Sequence, residues 1–233
     1  MLSTKTTADV SATELSANRQ HKPASSLSVF AATQGAINRS LLEQQVAGGF
    51  RAAFGAEITE FMPLLVGVGN TTPLAVAGIR TGQSPFFVET YLKDSLQVCL
   101  ARNGLVTPRH RIAEIGNLFS PSSYLTLPLL LITALALFRR DYEVLVFTAT
   151  SSLRTLMAKS HIQLTILASA RRDALSDDDQ IKWGNYYDTS PQVVAVSLSH
   201  IVSQLFRNSR IRTLFSGLAS QCAQLSTEIE EAL

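Results

Sequence analysis

The stretch that decides the fold is RHRIAEIGNLFSPSSYLTLPLLLIT, residues 109–133, in which a strand-like segment passes through a polar turn into an apolar helix. A carboxylate and a carboxamide, Glu114 and Asn117, near the end of a strand are unusual for packing alone. The free N–H groups at the start of the following helix make this corner a natural anion-binding site. Either the two side chains serve a ligand there, or they only pin a loop.

Strand alternation places Glu114 and Gly116 on one face of this strand and Asn117 on the other. The two polar side chains can therefore meet only if a β-bulge, or the end of the strand, redirects one of them. Whether they share a site is a question that sequence alternation leaves open.

The composition indicates one sizeable globular domain. The chain has 233 residues, of which 46% are hydrophobic and 16% charged, enough apolar material for a core. Its net charge is +2 and it has no dense run of Lys and Arg, so it lacks the basic footprint of a nucleic-acid-binding protein. Cys99 and Cys222 show no metal-ligand spacing; they are either buried thiols in a reducing compartment or a single disulfide.

The N-terminal segment and the longest apolar run indicate in which compartment the protein is expected. Residues 1–26 are rich in Ser and Thr with little apolar periodicity, which predicts a flexible N-terminal arm. No apolar secretory segment precedes residue 27, and the apolar run 125–138 is shorter than the roughly 20 residues needed to span a bilayer. We therefore expect a cytoplasmic protein without a transmembrane segment.

The remaining chain alternates helix and strand patterns, and the order across residues 109–168 indicates an α/β fold with crossover connections. Helices are predicted over 41–54, 88–102, 125–138 and 151–160, with one or two more over 199–232. Strands are predicted over 61–68, 74–80, 109–118, 143–150, 162–168 and 192–197, with 171–179 as a loop. Pro128 lacks an N–H, so it fits the first turn of a helix that starts near residues 124–127, or else it kinks the helix.

Two further features have open interpretations. Arg80 ends a predicted strand, where it is either a solvent-facing charge or the partner of a substrate or of a structural ion pair. Trp183, Tyr186 and Tyr187 fall within five residues. They form either an aromatic lid on the core or one wall of a ligand pocket, because such rings offer a flat apolar face with a polar tip.

Five motifs, in the same order and at similar spacing, resemble the thermostable hemolysin family of bacteria. They are Phe50 with FGA (54–56), AVAGIR (75–80), EIGNL (114–118), VFTAT with LR (146–154), and WGNYY with Pro191 (183–191). The resemblance covers roughly residues 45–198. That family in turn is similar to the GCN5-related N-acetyltransferase superfamily and, within it, to the acyl-homoserine-lactone synthases.

The resemblance implies an α/β (α+β) fold with a GCN5-related N-acetyltransferase-like mixed central sheet flanked by helices. It assigns residues 27–198 to an acyltransferase-like domain and leaves 199–233 as a C-terminal helical extension. Two motifs differ from these relatives. Asn117 stands where the lactone synthases carry Arg, and SPSSY (120–124) stands in place of the acetyltransferase pyrophosphate-binding signature.

The activity implied is acyl transfer from a thioester donor, an acyl-coenzyme A or an acyl carrier protein, to a small amine-bearing acceptor. S-adenosylmethionine is a further candidate ligand, no metal is implied, and a homodimer is compatible with the sequence. Glu114 is the candidate general base or amine anchor, Asn117 a donor to the reacting carbonyl oxygen, and Arg80 the anchor of a substrate carboxylate. The other candidates are Glu89, Phe147, Thr148, Thr150, Trp183, Tyr186 and Tyr187 for substrate, and Leu118, Ser120, Ser122 and Ser123 for the donor.

Two alternatives remain. The family name suggests a protein that damages membranes directly, although the sequence shows no basic amphipathic helix of the surface-active type. A catalytically inactive acyltransferase fold that binds a partner is the other.

Overall fold

The computed structural model describes residues 27–216 and 218–233, apart from the side chains of residues 210, 211 and 214. The predicted arm, residues 1–26, lies outside the described residues. The main elements in chain order are β1 (Ser28–Thr33), α1 (Arg39–Phe54), β2 (Leu64–Gly69), β3 (Pro73–Thr81), α2 (Leu96–Arg102), β4 (Ile112–Phe119), α3 (Ser123–Phe138), β5 (Val144–Ala149), α4 (Ser151–Lys159), β6 (Thr165–Ser169), α5 (Asp177–Lys182), β7 (Gln192–Ser197), α6 (Leu198–Arg207), α7 (Ser209–Ser216) and α8 (Ala219–Ala232).

The strands form one seven-stranded mixed sheet in the order β1-β2-β3-β4-β5-β7-β6. Strands β1 to β4 pair antiparallel in succession, β4 and β5 are parallel, and β7 lies antiparallel to both β5 and β6. Helix α3 makes the crossover from β4 to β5. The mixed sheet flanked by helices confirms the predicted fold class.

Strands β4 and β5 diverge halfway along their length. Their pairing runs from Ile112 opposite Val144 to Ile115 opposite Phe147. Residues 116–119 of β4 continue beyond that point with no partner from β5 among the described strands. A cleft therefore opens in the middle of the sheet, and α3 begins at its edge, four residues after the end of β4.

One face of the sheet is covered by α3, which is buried from Leu125 to Leu137. The helix packs against β2 and β3 on one side and against α6 and α8 on the other. A helix that is apolar all round is expected where no side meets water. The apolar run that could be mistaken for a membrane segment is thus a core helix, and no helix in the described part of the chain is long and apolar enough to cross a bilayer.

The opposite face carries two separate apolar clusters. One surrounds α1 with Leu42, Val46 and Phe50, and the other surrounds α2 and the 3₁₀ turn Phe87–Tyr91. Between them, β3 and β4 present the pairs Gly78 with Gly116 and Arg80 with Glu114 on this face. This interruption of the core leaves room for a site.

The structure departs from the sequence predictions at several places, and the described residues between 198 and 232 form three helices, α6, α7 and α8, where one or two were expected. Strand β1 was not predicted. The helix predicted over 88–102 is confirmed only in its second half: residues 87–91 form a 3₁₀ turn, and α2 starts at Leu96, where the Ser95 hydroxyl accepts a hydrogen bond from the Val98 N–H. The predicted loop 171–179 extends too far, because α5 begins at Asp177. Ser176 caps that helix, and carboxylates in its first turn interact favourably with the helix dipole.

Pro128 lies further into α3 than expected. The helix begins at Ser123, so Pro128 is its sixth residue rather than part of the first turn. The missing N–H leaves the carbonyl of Tyr124 without its helical partner. The Thr126 hydroxyl donates to the Ser122 carbonyl at 2.9 Å and holds the start of the helix against the cleft.

Adjacent glycines in α1 provide a matched test of this packing. A Cβ on Gly49 would overlap the Phe119 ring at the end of β4, whereas a Cβ on Gly48 would meet no atom within 4 Å. We expect Gly49→Ala to lower the free energy of unfolding by about 1–3 kcal/mol through overpacking. Gly48→Ala should instead raise it by up to about 1 kcal/mol, because alanine is the better helix former. Urea unfolding of the two variants measures both, and equal effects would contradict the close approach of α1 to β4.

Candidate active site

A cavity of about 540 Å³ lies over the interrupted centre of the sheet. Its walls come from β3, β4, β5, the end of α1 with the segment that follows it, and the starts of α3 and α4. The 87–91 turn and the end of α5 close the remaining side. Of the residues that the sequence proposed for a site, the walls contain Arg80, Glu114, Asn117, Leu118, Ser120, Ser122, Ser123, Phe147, Thr148, Thr150, Trp183 and Tyr186.

Glu114 is the buried acid of this cavity, with 1% of its surface exposed. Its Oε2 accepts a hydrogen bond from the Phe87 N–H and its Oε1 one from the Val88 N–H, both at 2.8 Å. Burial raises the pKa of Glu114 to about 7, although these two N–H groups and the charge of Arg80 act to lower it. The residue therefore pins a loop and also presents a carboxyl that titrates near neutral pH.

Arg80 lies directly opposite Glu114 on the neighbouring strand β3. Its Nη1 donates to the Pro85 carbonyl at 2.9 Å, the one side-chain hydrogen bond of Arg80 within the described residues. A guanidinium carries five N–H donors. The group thus combines a fixed position with donors that a ligand could use.

Asn117 reaches the same face as Glu114 through a β-bulge. Gly78 pairs with Gly116 and Val76 with Phe119, so β4 contains one residue more than β3 over this interval. Asn117 adopts a left-handed backbone conformation with φ 47°, which Asn tolerates better than most residues. The extra residue turns its side chain over Gly78.

The Asn117 amide is already engaged on that face. Its Oδ1 accepts from the Met62 N–H at 2.8 Å, and its Nδ2 donates to the Glu60 carbonyl at 3.1 Å. One amide N–H remains for a ligand. The Asn117 side chain thus holds the segment that precedes β2, as expected for a residue that pins a loop.

The proposed donor end lies where β4 runs free of β5. Leu118, Ser120, Ser122 and Ser123 line the cavity there, beside the N-terminus of α3. The Ser120 hydroxyl donates to the Ser122 carbonyl at 3.0 Å and shapes the turn. The first N–H groups of a helix have no partners within the helix, so this end of the cavity is suited to an anionic group.

The aromatic residues form both a cavity wall and a core cluster. Trp183 and Tyr186 line the cavity, and their ring centroids lie 5.0 Å apart. Phe54 of α1 meets Tyr186 edge-on at 5.3 Å, and the Phe87 ring lies tilted against Trp183 at 5.9 Å. The cluster is therefore both a lid on the core and one wall of the cavity.

Two proposed substrate residues support the wall without being part of it. Among the described residues, Glu89 and Tyr187 do not line the cavity. Glu89 pairs with Arg109 through two hydrogen bonds of 2.6 and 2.8 Å, and this pairing lowers the pKa of Glu89. The Tyr187 and Tyr91 hydroxyls lie 2.6 Å apart. Both contacts anchor the 87–91 turn against the rest of the protein.

The cavity also contains residues that the sequence did not suggest. Met62, Phe61 and Lys182 line it, as do Phe50 and Phe54 of α1. The periodicity of α1 indicated only an inward face, and Phe61 and Met62 were included in a predicted strand. Cys99 and Cys222 are both free thiols. Within the part of the chain that is described, no cluster of His, Cys, Asp and Glu is arranged to hold a metal.

The sequence profile described as thermostable hemolysin matches residues 32–202, well over half of the chain. The protein belongs to the thermostable hemolysin family. No curated protein matches this member of the family in sequence.

Solved structures share the fold of this hemolysin-family protein. The N-acyl amino acid synthase FeeM from uncultured soil microbes has a TM-score of 0.54 and 16% identity, and the match covers 76% of this chain and 95% of that one. The acyl-homoserine lactone synthase LasI has a TM-score of 0.51 and 14% identity, with coverage of 75% and 91%. The coenzyme-A-dependent acyl-homoserine lactone synthase MesI has a TM-score of 0.50 and 13% identity, with coverage of 81% and 95%.

The raised pKa of Glu114 predicts how the stability of this family member depends on pH. Because the folded-state pKa of about 7 exceeds the ordinary value of 4.5, the folded protein binds this proton more tightly than the unfolded chain. The resulting stabilisation, about 3 kcal/mol, is complete below about pH 4.5 and is lost as the pH rises through 7. Urea unfolding between pH 5 and 8 should show this fall in the wild type and not in Glu114→Gln.

Glu143→Gln is the matched control for that experiment. Hydrogen bonds from Thr107 and Arg111 lower the pKa of Glu143, so it titrates below the window measured. The control should keep the wild-type slope. A Glu114→Gln variant that also keeps it would show that another group is responsible.

Proposed function

We propose that this protein transfers an acyl group from a thioester donor to the amine of a small acceptor. The observation that carries the proposal is the position of Glu114. A buried carboxyl with a pKa of about 7 lines a cavity at the point where two parallel strands diverge beside a helix N-terminus. A general base is most effective when its pKa lies near the working pH.

The donor would enter from the α3 side. An extended arm with amide groups, such as pantetheine, can pair with the free edge of β4 over residues 116–119, and its phosphate can meet the N-terminus of α3. Coenzyme A and an acyl carrier protein both present such an arm. MesI, which shares the fold, is described as coenzyme-A-dependent, so an acyl-coenzyme A is the first donor to test.

The acceptor would bind on the Glu114 side. Each carboxylate oxygen of Glu114 uses one lone pair for a backbone N–H and retains another, which can accept the proton of an acceptor ammonium. The freed amine then attacks the thioester carbonyl. The new C–N bond forms and the C–S bond breaks, and the departing thiolate takes up the second proton, which the nitrogen loses as it becomes an amide. The remaining Asn117 N–H is suited to stabilise the oxyanion in between.

Arg80 would give the acceptor its second anchor. It lies across from Glu114 at one strand spacing, so an amine and a carboxylate on the same small molecule can reach Glu114 and Arg80 together. Amino acids and S-adenosylmethionine both have this pair of groups. FeeM, named as an N-acyl amino acid synthase, supports an amino acid as the acceptor.

Activity should depend on Glu114 and not on Glu143, a partly exposed acid outside the cavity. The purified protein is incubated with saturated acyl-coenzyme A donors of increasing chain length and a panel of amino acids, and products are detected by mass spectrometry. We expect Glu114→Gln to lower kcat by at least 100-fold, the lower range for loss of a general base. Wild-type kcat/KM should rise with pH through about 7 as the carboxyl ionises.

Glu143→Gln tests whether any loss is specific, because Glu143 lies outside the cavity and bonds to Thr107 and Arg111. It should retain wild-type turnover. Undiminished product formation by Glu114→Gln would assign Glu114 a purely structural role.

The Arg80 anchor predicts a discrimination between acceptors. For the best amino acid acceptor, Arg80→Gln should lower kcat/KM by about 10- to 100-fold, the equivalent of one or two charge-assisted hydrogen bonds. The same variant should act on the corresponding decarboxylated amine as the wild type does. An equal loss for both acceptors would show that Arg80 only holds the segment at Pro85.

The two alternatives make different predictions. A protein that damages membranes directly would release dye from liposomes without any donor or acceptor. A catalytically inactive binding protein would show a rise in melting temperature with a donor and no product; a ligand at 100 times its Kd adds about 2.7 kcal/mol to the free energy of unfolding. Product formation without leakage is the result expected here.

A further inference from the structure

Met62 lines the cavity, although the segment that carries it precedes β2 and belongs to no strand. Its side chain is buried and stands over two glycines, Gly78 of β3 and Gly116 of β4, which face each other across the sheet. A Cβ on Gly78 would lie 2.8 Å from the Met62 Cβ, and a Cβ on Gly116 would overlap the Met62 methyl group. The two glycines thus provide the space that Met62 fills.

The backbone of Met62 is held from both sides. Its N–H donates to the Asn117 side chain at 2.8 Å, and its carbonyl accepts from the buried Arg39 guanidinium at 2.7 Å. Arg39 also donates to the carbonyls of Pro63 and Ala32, at 2.9 and 3.0 Å, which ties this segment to β1. Because both anchors of Met62 are backbone atoms, its side chain can be changed without removing them.

Met62 lies close to the two residues that would hold the acceptor in the proposed reaction. The glycine pair lies one step along the same face from the pair formed by Arg80 and Glu114. Two residues along a strand span about 7 Å. Met62 therefore stands within about one small side chain of the groups that would hold the amine and the carboxylate of the acceptor.

We infer that Met62 forms the end wall of the acceptor subsite and sets the size of the side chain that an amino-acid-like acceptor can carry. This inference rests on the proposed function for its choice of ligand, and on the packing of Met62 over Gly78 and Gly116 for its geometry. A flexible, polarizable thioether suits such a wall because it fits closely around different small groups.

Methyl NMR tests the contact without relying on turnover. The chain has three methionines, and Met157 is buried in a core cluster and does not line the cavity. The protein is labelled with methyl-¹³C methionine, and the Met62 signal is assigned from its loss in Met62→Leu. Alanine, leucine, phenylalanine and S-adenosylmethionine are then added in the presence of coenzyme A. We expect small acceptors to shift the Met62 signal and leave Met157 unchanged.

Specificity provides the second test. Met62→Ala should raise the ratio of kcat/KM for phenylalanine to that for alanine by about tenfold or more, since the added pocket volume favours the larger side chain. Met62→Leu, of similar volume, should stay close to the wild type. Gly116→Ala should push the Met62 methyl group into the cavity and change the ratio in the opposite direction, and the double variant with Met62→Ala should reverse that change.

The outcomes separate the two proposals. If no acceptor shifts the Met62 signal, or if Met62 and Met157 shift alike, the end-wall inference is overturned, whether or not product forms. Product with an unchanged specificity ratio in Met62→Ala also overturns it and leaves acyl transfer standing. A selective Met62 shift with no product from any donor supports the subsite and counts against acyl transfer.

Discussion

The rest of the structure around the cavity depends on one buried carboxyl. Glu114 sits in the centre of the sheet and accepts the backbone N–H groups of Phe87 and Val88, which start the 87–91 turn. That turn carries Phe87 into the aromatic wall. The same burial that makes these two hydrogen bonds necessary also raises the pKa of the carboxyl toward neutrality. The conformation of the 87–91 turn and the acidity of the cavity therefore both depend on a single side chain.

One face of the sheet carries most of the hydrophobic core, and the other face carries the cavity. On one face, α3 is enclosed between the sheet and the C-terminal helices α6 and α8, and the packing there is apolar. On the other, glycines and charged residues separate two clusters and leave a cavity. A protein can tolerate an acid and open space on one face of a sheet when the other face supplies most of the buried apolar area.

The site is further shaped by two departures from regular strand pairing. Strands β4 and β5 separate after Ile115 and Phe147, which exposes backbone beside the start of α3. Regular alternation would have put the Asn117 side chain on the α3 face of the sheet. The bulge turns this side chain to the other face, toward Met62 and Glu60. Together with Arg39, it fixes the segment before β2 over the glycines. The segment that carries Met62, held between the side chains of Asn117 and Arg39, thus forms part of the cavity lining.

The amino-acid sequence by itself determined the elements with strong periodicity: α1, α3, the hairpin of β2 and β3, and the strands around Glu114, together with the family and the fold class. It also singled out Glu114, because a carboxylate in an apolar strand is conspicuous without any knowledge of its neighbours. Only the tertiary structure decided which residues meet. The side of the sheet that Asn117 faces depends on its register with β3, and the division of residues 88–102 depends on hydrogen bonds to Glu114 and Ser95. The position of Met62 depends on contacts with residues more than 15 positions away along the chain in each direction. Local sequence patterns cannot predict such long-range contacts.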